Sequence, residues 1–284
     1  MSETAEPVDL DHLRTWIGRT EEADDIVTPR LVAEFRATFE PSLAPVSMME
    51  APLMLQWCLT PPIAPMSELT DEGHLRKGGF LPPVPLPRRM WAGGVVETLG
   101  ALRMGDIVRR VSRVENVALK EGRTGRLCFV TVRHEYLAGS QVALKERHDI
   151  VYRDAPDPAA PPPAMKRTEI ASDLTWDVDP TEAMLFRYSA LMFNAHRIHY
   201  DLRYVTEVEG YSGLVVHGPL QGTLLFNIAS VLGGSPPRTF DYRGLSPLIA
   251  GDPFRVHAAQ DGEKVRCWTE DSFGVTCMEG EAAW

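Results

Sequence analysis

The sequence predicts a duplicated α+β protein, two copies of a helix packed against an antiparallel sheet, on three observations. A proline-rich stretch, DAPDPAAPPPAM from Asp154 to Met165, divides the 284 residues into two halves of small-domain size. The halves echo one another. Val27-Thr28-Pro29 precedes Phe35-Arg36, and Val178-Asp179-Pro180 precedes Phe186-Arg187 at a constant offset of 151. Further on, Leu102 to Asp106 leads into Arg109 as Leu248 to Asp252 leads into Arg255. The expected layout is residues 1–154, a linker 155–166, and residues 167–284.

Each half reads as a helix followed by strands. Thr28 and Asp179 are good helix N-caps, and Pro29 and Pro180 suit a first turn. Apolar, β-prone runs begin at Ile107, Leu127 and His148, with a turn signal at Glu121-Gly-Arg-Thr-Gly, so a meander is expected. In the second half, Pro219 to Leu232 is apolar at helical spacing and stops at Gly233-Gly234. Strands return at 247–259, 264–270 and 274–278. A helix covered by an antiparallel sheet is an α+β layout. The matching stretch of the first half, Pro61 to Arg89, is proline-rich and polar. That asymmetry suggests chemistry in the second half alone.

Composition excludes several classes. The formal charge is −10 with no basic stretch, so nucleic acid is not an expected partner. The four cysteines, at 58, 128, 267 and 277, form no C-x-x-C pair, so neither zinc nor a disulfide framework is implied. No apolar run approaches the roughly 20 residues of a membrane helix, and the polar N-terminus is unlike an export signal. A cytoplasmic protein is expected.

Two segments concentrate reactive groups. The first is FRYSALMFNAHRIHYD at 186–201, in which Asn194, His196, Arg197, His199 and Asp201 follow an apolar helix. The second is VVHGP at 215–219. There Gly218 and Pro219 open a helix whose free N–H groups could hold an oxyanion, while His217 could simply cap the turn. His199-Tyr200-Asp201 is also an H-x-D. With His217 or His257 it could form a two-His, one-carboxylate iron site, although its place after a helix disfavours that. His196 reads as structural. Arg187, Arg197, Arg243 and the Arg88-Arg89 pair could meet a phosphate or carboxylate. Tyr188 could line a pocket or pack in the core.

FRYSALMFNAHRIHYD at 186–201 and VVHGPLQGTLL at 215–225 resemble the MaoC-like hydratases and dehydratases, in particular the type 2 hydroxyacyl-thioester dehydratase and mesaconyl-C4-CoA hydratase group. The resemblance covers the whole chain, weakly in its first half. It implies a tandem hot-dog fold, degenerate in the first half and catalytic in the second. It implies a hydro-lyase acting on a coenzyme A thioester, with no metal or redox cofactor. The family's Asp, four residues, His pattern falls on Asn194 and His199, and its thioester-binding N–H falls on Gly218. Asn194 departs from the pattern, because an amide cannot act as a carboxylate base. The implied catalytic set is His199, Asn194 and Gly218. Tyr188, Arg197, His217, Pro219 and Arg243 are the candidates for substrate contact. The expected substrate is a C5-dicarboxylic enoyl-CoA, mesaconyl-C4-CoA or itaconyl-CoA, giving citramalyl-CoA. The alternatives are a fatty-acid-type 3-hydroxyacyl-thioester dehydratase, a thioesterase, and a non-catalytic acyl-CoA-binding protein. Two hot-dogs in one chain could already form the functional unit, and a homodimer stays open.

Overall fold

The computed structural model describes residues 7–122, 125–154 and 165–284. The elements run α1 (Leu10–Arg14), β1 (Thr20–Ile26), α2 (Pro29–Phe39), β2 (Arg88–Thr98), β3 (Ile107–Gly122), β4 (Gly125–Ala138) and β5 (Gln141–Arg153). The second half adds β6 (Leu174–Val178), α3 (Glu182–Leu191), α4 (Leu202–Glu207), α5 (Gly218–Gly233), β7 (Thr239–Gly244), β8 (Phe254–Asp261), β9 (Lys264–Glu270) and β10 (Thr276–Ala283).

The ten strands form one sheet in the order β1-β3-β4-β5-β2-β7-β10-β9-β8-β6, with every neighbouring pair antiparallel. Read outward from the middle, both halves have the same connectivity, since β6 to β10 retrace β1 to β5. The duplication expected from the two echoes is therefore a repeat of topology. The halves join through β2 and β7, where Gly94 faces Tyr242. A Cβ on Gly94 would stand 2.5 Å from the Tyr242 hydroxyl and 2.0 Å from the Arg147 carbonyl, so only glycine lets the two halves close here.

In each half a strand, β1 or β6, precedes the helix marked by the echo, which the helix-then-strands expectation missed. The helix register also differs from the constant offset of 151. Thr28 caps α2 by accepting from the Leu31 N–H, with Pro29 in the first turn, as expected. In the second half Thr181, not Asp179, is the cap, and it accepts from the Met184 N–H. Two extra residues have entered, so Tyr188 rather than Phe186 occupies the place of Phe35. Phe35 and Tyr188 are fully buried, whereas Phe186 is 66% exposed.

Helix α5 is buried along nearly its whole length and packs against β6 to β10. An apolar surface all round a helix requires such burial. It ends at Gly234, whose φ of 78° provides the left-handed turn expected of a glycine stop. The first half has no such helix. Between α2 and β2 lie only two short 3-10 turns, Leu55–Cys58 and Met66–Glu68. Apart from the second of these turns, Pro61 to Pro87 crosses that half as irregular chain, and Val84 and Leu86 bury themselves beside Leu13, Val130 and Tyr152.

Most of the linker expected at 155–166 lies outside the described residues. At its end, the Lys166 carbonyl accepts from the Thr276 N–H. The four cysteines are free and buried, in line with their spacing. Among the described residues, no helix is long and apolar enough to cross a membrane.

Candidate active site

The site forms where the chain leaving α3 meets the start of α5. Helix α3 ends at Leu191. Phe193 turns with a φ of 50°, and a 3-10 turn at Arg197–His199 brings His199 inward. Asn194 shapes this passage by accepting from the His196 N–H at 3.0 Å. The Val215 N–H donates to the Ile198 carbonyl, which ties the loop to the segment leading into α5.

His199 is buried, and its Nδ1 donates to the Val215 carbonyl at 2.7 Å. A carbonyl can only accept, so the proton sits on Nδ1 and the Nε2 lone pair is left free. Nε2 has no protein partner among the described residues. Burial pulls the His199 pKa down to about 4, partly opposed by the Val215 hydrogen bond. At neutral pH the ring is therefore a neutral base of fixed tautomer.

His217 lies behind it. The two rings stack with centroids 3.6 Å apart, and His217 Nε2 meets Ser189 Oγ at 2.8 Å. Tyr188 packs edge-on to His217 from the other side. His217 and Tyr188 are fully buried and do not line the cavity in front of His199, so neither is placed for the expected substrate contact. They form the packed backing that sets the plane of His199.

A cavity of about 2140 Å³ opens in front of His199, lined also by Asn194, Gly218 and Pro219. Gly218 is the first residue of α5, so its N–H is one of the donors a helix leaves without an internal acceptor. The indole of Trp91 fills the space where its side chain would be. A Cβ there would lie 2.7 Å from Trp91 Cε3. One turn on, a Gly222 Cβ would lie 2.8 Å from Trp57. Two first-half tryptophans thus seat against the first turns of the second-half helix.

The first half also clamps the histidine loop. A turn between Leu69 and Leu75 presses Gly73 so close to the Ala195 carbonyl that a Cβ would come within 1.8 Å. The Glu72 carbonyl accepts from the Arg197 N–H, and His74 packs on His196 with ring centroids 4.0 Å apart. Burial and the neighbouring His74 lower the His196 pKa to about 2. Glu72, His74 and His196 place three ligand atoms within 4.8 Å of one another, the one grouping found among the described residues that could hold a metal ion.

One further expectation changes. Arg197 faces away from the cavity, bound to Asp201 at 2.8 Å and to the Asp71 carbonyl, with its guanidinium over Tyr204. It is a structural cation. Arg243 does line the cavity, from β7, and it pairs with Glu279 at 2.7 Å. The H-x-D iron site does not assemble. Asp201 caps α4 and pairs with Arg197, and among the described residues it does not gather with His199, His217 or His257 into a ligand grouping. His257 lies on β8 against Thr175 and Trp268. Trp57, Trp91, Glu72 and His74 were invisible as site residues, because their role depends on the first half folding over the second.

Residues 54–250 match the family described as hydroxyacyl-thioester dehydratase type 2. The chain is 39% identical over 264 residues to the mesaconyl-C(4)-CoA hydratase of Chloroflexus aurantiacus, covering 93% of this chain and 94% of that one. Among solved structures it is similar to a MaoC-like dehydratase from Phytophthora capsici, at a TM-score of 0.67 and 14% identity over 98% of this chain and 99% of that one. It is also similar to a Mycobacterium tuberculosis protein described as having a double hotdog fold, at a TM-score of 0.54 and 12% identity over 94% and 95% of the two chains. The topology is thus the tandem hot-dog expected from the motifs.

Proposed function

The chain belongs to the hydroxyacyl-thioester dehydratase type 2 family and is a hydro-lyase of acyl thioesters, and from that premise we propose that it hydrates a C5-dicarboxylic enoyl-CoA with His199 as acid and base. The observation that carries the reading is the pairing of a neutral His199 with a helix N-terminus on one cavity.

The steps follow from these positions. The thioester carbonyl accepts from the Gly218 N–H, where the positive end of the α5 dipole also acts. This draws electron density from the β-carbon. Asn194 has its carbonyl oxygen engaged by the His196 N–H, so its amide N–H is the group left to hold a water. His199 Nε2 takes a proton from that water as the oxygen bonds to the β-carbon. The electron pair of the double bond moves onto the thioester as an enolate, held at Gly218. The proton on His199 then passes to the α-carbon, which completes addition of water. Dehydration runs the same steps backwards.

The substrate assignment rests on the 39% relative, which matches nearly end to end and is named for mesaconyl-C(4)-CoA. Its product would be citramalyl-CoA. The family description itself keeps the 3-hydroxyacyl-thioester dehydratase as the second reading. A panel of enoyl-CoA esters with and without a distal carboxylate tests this, followed by loss of enoyl-thioester absorbance. Faster hydration of the carboxylated esters is expected. Equal rates on both would sink the dicarboxylate assignment, and binding without any absorbance change would sink the hydratase reading.

A further inference from the structure

In the second half, α5 covers the inner face of its strands with apolar side chains. In the first half the cavity reaches the corresponding face of β3, β4 and β5. That face is polar. Arg110, Ser112, His134, Tyr136 and His148 line the cavity, and the register makes them neighbours. Arg110 faces Tyr136 and Ser112 faces His134 across β3 and β4, while Val132 beside His134 faces His148 across β4 and β5. A polar floor exactly where the repeat has an apolar one is unexplained by folding alone.

The groups on the floor are arranged to donate. The Glu146 carboxylate stands behind it with a fully buried side chain. Its Oε1 accepts from Gln56 Nε2 at 2.8 Å and Trp57 Nε1 at 3.0 Å, and its Oε2 stands 2.8 Å from His148 Nε2. Ser112 Oγ meets His134 Nδ1 at 2.8 Å. The Arg110 guanidinium is largely buried. It meets the Tyr136 hydroxyl, Glu21 is 3.6 Å away, and its Nε has no partner among the described residues. The Tyr242 hydroxyl, from β7 beyond β2, is likewise buried without a partner among the described residues. A buried guanidinium whose carboxylate partner, Glu21, is half exposed, and an imidazole backed by Glu146, offer donors to one anionic guest.

The floor is within reach of the reacting carbons. Trp91 touches Gly218 on one side, and its ring centroid is 5.8 Å from His148 on the other. A trans four-carbon enedioyl thioester spans about 6 Å between its carbonyl oxygen and its far carboxylate. A hydrogen bond of about 2.9 Å at each end lets it bridge Gly218 and the floor along Trp91. Resting on the hydratase reading above, we propose that Arg110 and His148, oriented by Ser112, His134 and Glu146, form the receptor for the distal carboxylate of the acyl group.

The test is the ratio of kcat/KM for mesaconyl-C4-CoA to that for crotonyl-CoA, which lacks the carboxylate. It is measured in the wild type, in Arg110→Met and in His148→Gln, with thermal melting to verify folding. Removal of one charge-assisted partner is expected to lower the ratio by about 30-fold in Arg110→Met and about 10-fold in His148→Gln, chiefly through KM for the carboxylated ester. If Arg110→Met does not fold, the His148→Gln ratio decides. A wild type that prefers mesaconyl-C4-CoA, with ratios in the folded variants within about threefold of it, overturns the receptor and leaves the hydratase reading standing. A wild type that shows no preference overturns the dicarboxylate assignment and the receptor together.

Discussion

Replacing Gly218 by alanine separates the two duties the site assigns to the start of α5, being packed and presenting an N–H. The added Cβ would stand 2.7 Å from Trp91 Cε3 and 3.3 Å from Cζ3. Trp91 cannot swing aside, because Trp57, Tyr242 and His148 surround it with ring centroids 4.8–5.8 Å away. Relief therefore moves the first turn of α5 by several tenths of an ångström. Overpacking of this kind costs about 1–3 kcal/mol, or a melting temperature lower by a few degrees. Gly222→Ala provides the control, since its Cβ would meet Trp57 at 2.8 Å on the same helix, one turn from the thioester. Both variants should lose similar stability. Only Gly218→Ala displaces the donor of the oxyanion site, so its kcat should fall by about 10²–10³-fold, against less than about tenfold for Gly222→Ala. Circular dichroism melts and hydration of an enoyl-CoA at saturation measure the two effects. Equal kcat losses in the two variants, or a Gly218→Ala enzyme within about threefold of wild type, would refute the role of the Gly218 N–H.

The remaining predictions concern the backing of His199. Its pKa is lowered to about 4 from an ordinary 6.5, so the unfolded chain binds the proton more readily. Stability from this group is complete above pH 6.5 and is lost as pH falls toward 4, on the order of 3 kcal/mol in all. His196, lowered to about 2, and His217, lowered by burial, act in the same direction. The acid limb of kcat/KM should accordingly lie near 4, and a limb near 6.5 would contradict the buried setting. Ser189→Ala removes the partner of His217 Nε2, whose Nδ1 is already unpartnered. It should cost about 1–3 kcal/mol in urea unfolding and lower kcat by loosening the ring on which His199 stacks. Arg197→Ala should lower stability yet leave KM for the CoA ester within about twofold, and a large rise in KM would restore Arg197 as a substrate contact.

What could be read from the chain was local. The apolar run 219–232 could only be a buried helix, and a Gly-Pro pair at its start fixed where the free N–H groups would point. His199 and Asn194 were legible through the motif they resemble. The misplaced residues share one physical cause. Tyr188, His217 and Arg197 stand beside His199 in sequence or in the adjoining motif, but the register of α3 turns Tyr188 inward, Ser189 and the stack on His199 hold His217 behind the site, and the pull of Asp201 turns Arg197 away. The echo at Phe186 failed because two residues inserted before Thr181 rotate the following helix. The first half was hardest. Pro61 to Arg89 read only as proline-rich and polar, and Arg110, His134 and His148 drew no reading, because polar residues along a strand do not reveal what their face meets. Only the missing helix and the sheet shared through β2 and β7 turn them toward the cavity.

The central claim is that one histidine moves both protons of the reaction. Its most direct measure is the single-turnover rate of enoyl-CoA hydration by His199→Ala, with folding verified by near-ultraviolet circular dichroism. A rate lower by about 10³-fold or more, with the native spectrum retained, is the predicted result. A folded His199→Ala enzyme within about tenfold of the wild-type rate would contradict the account.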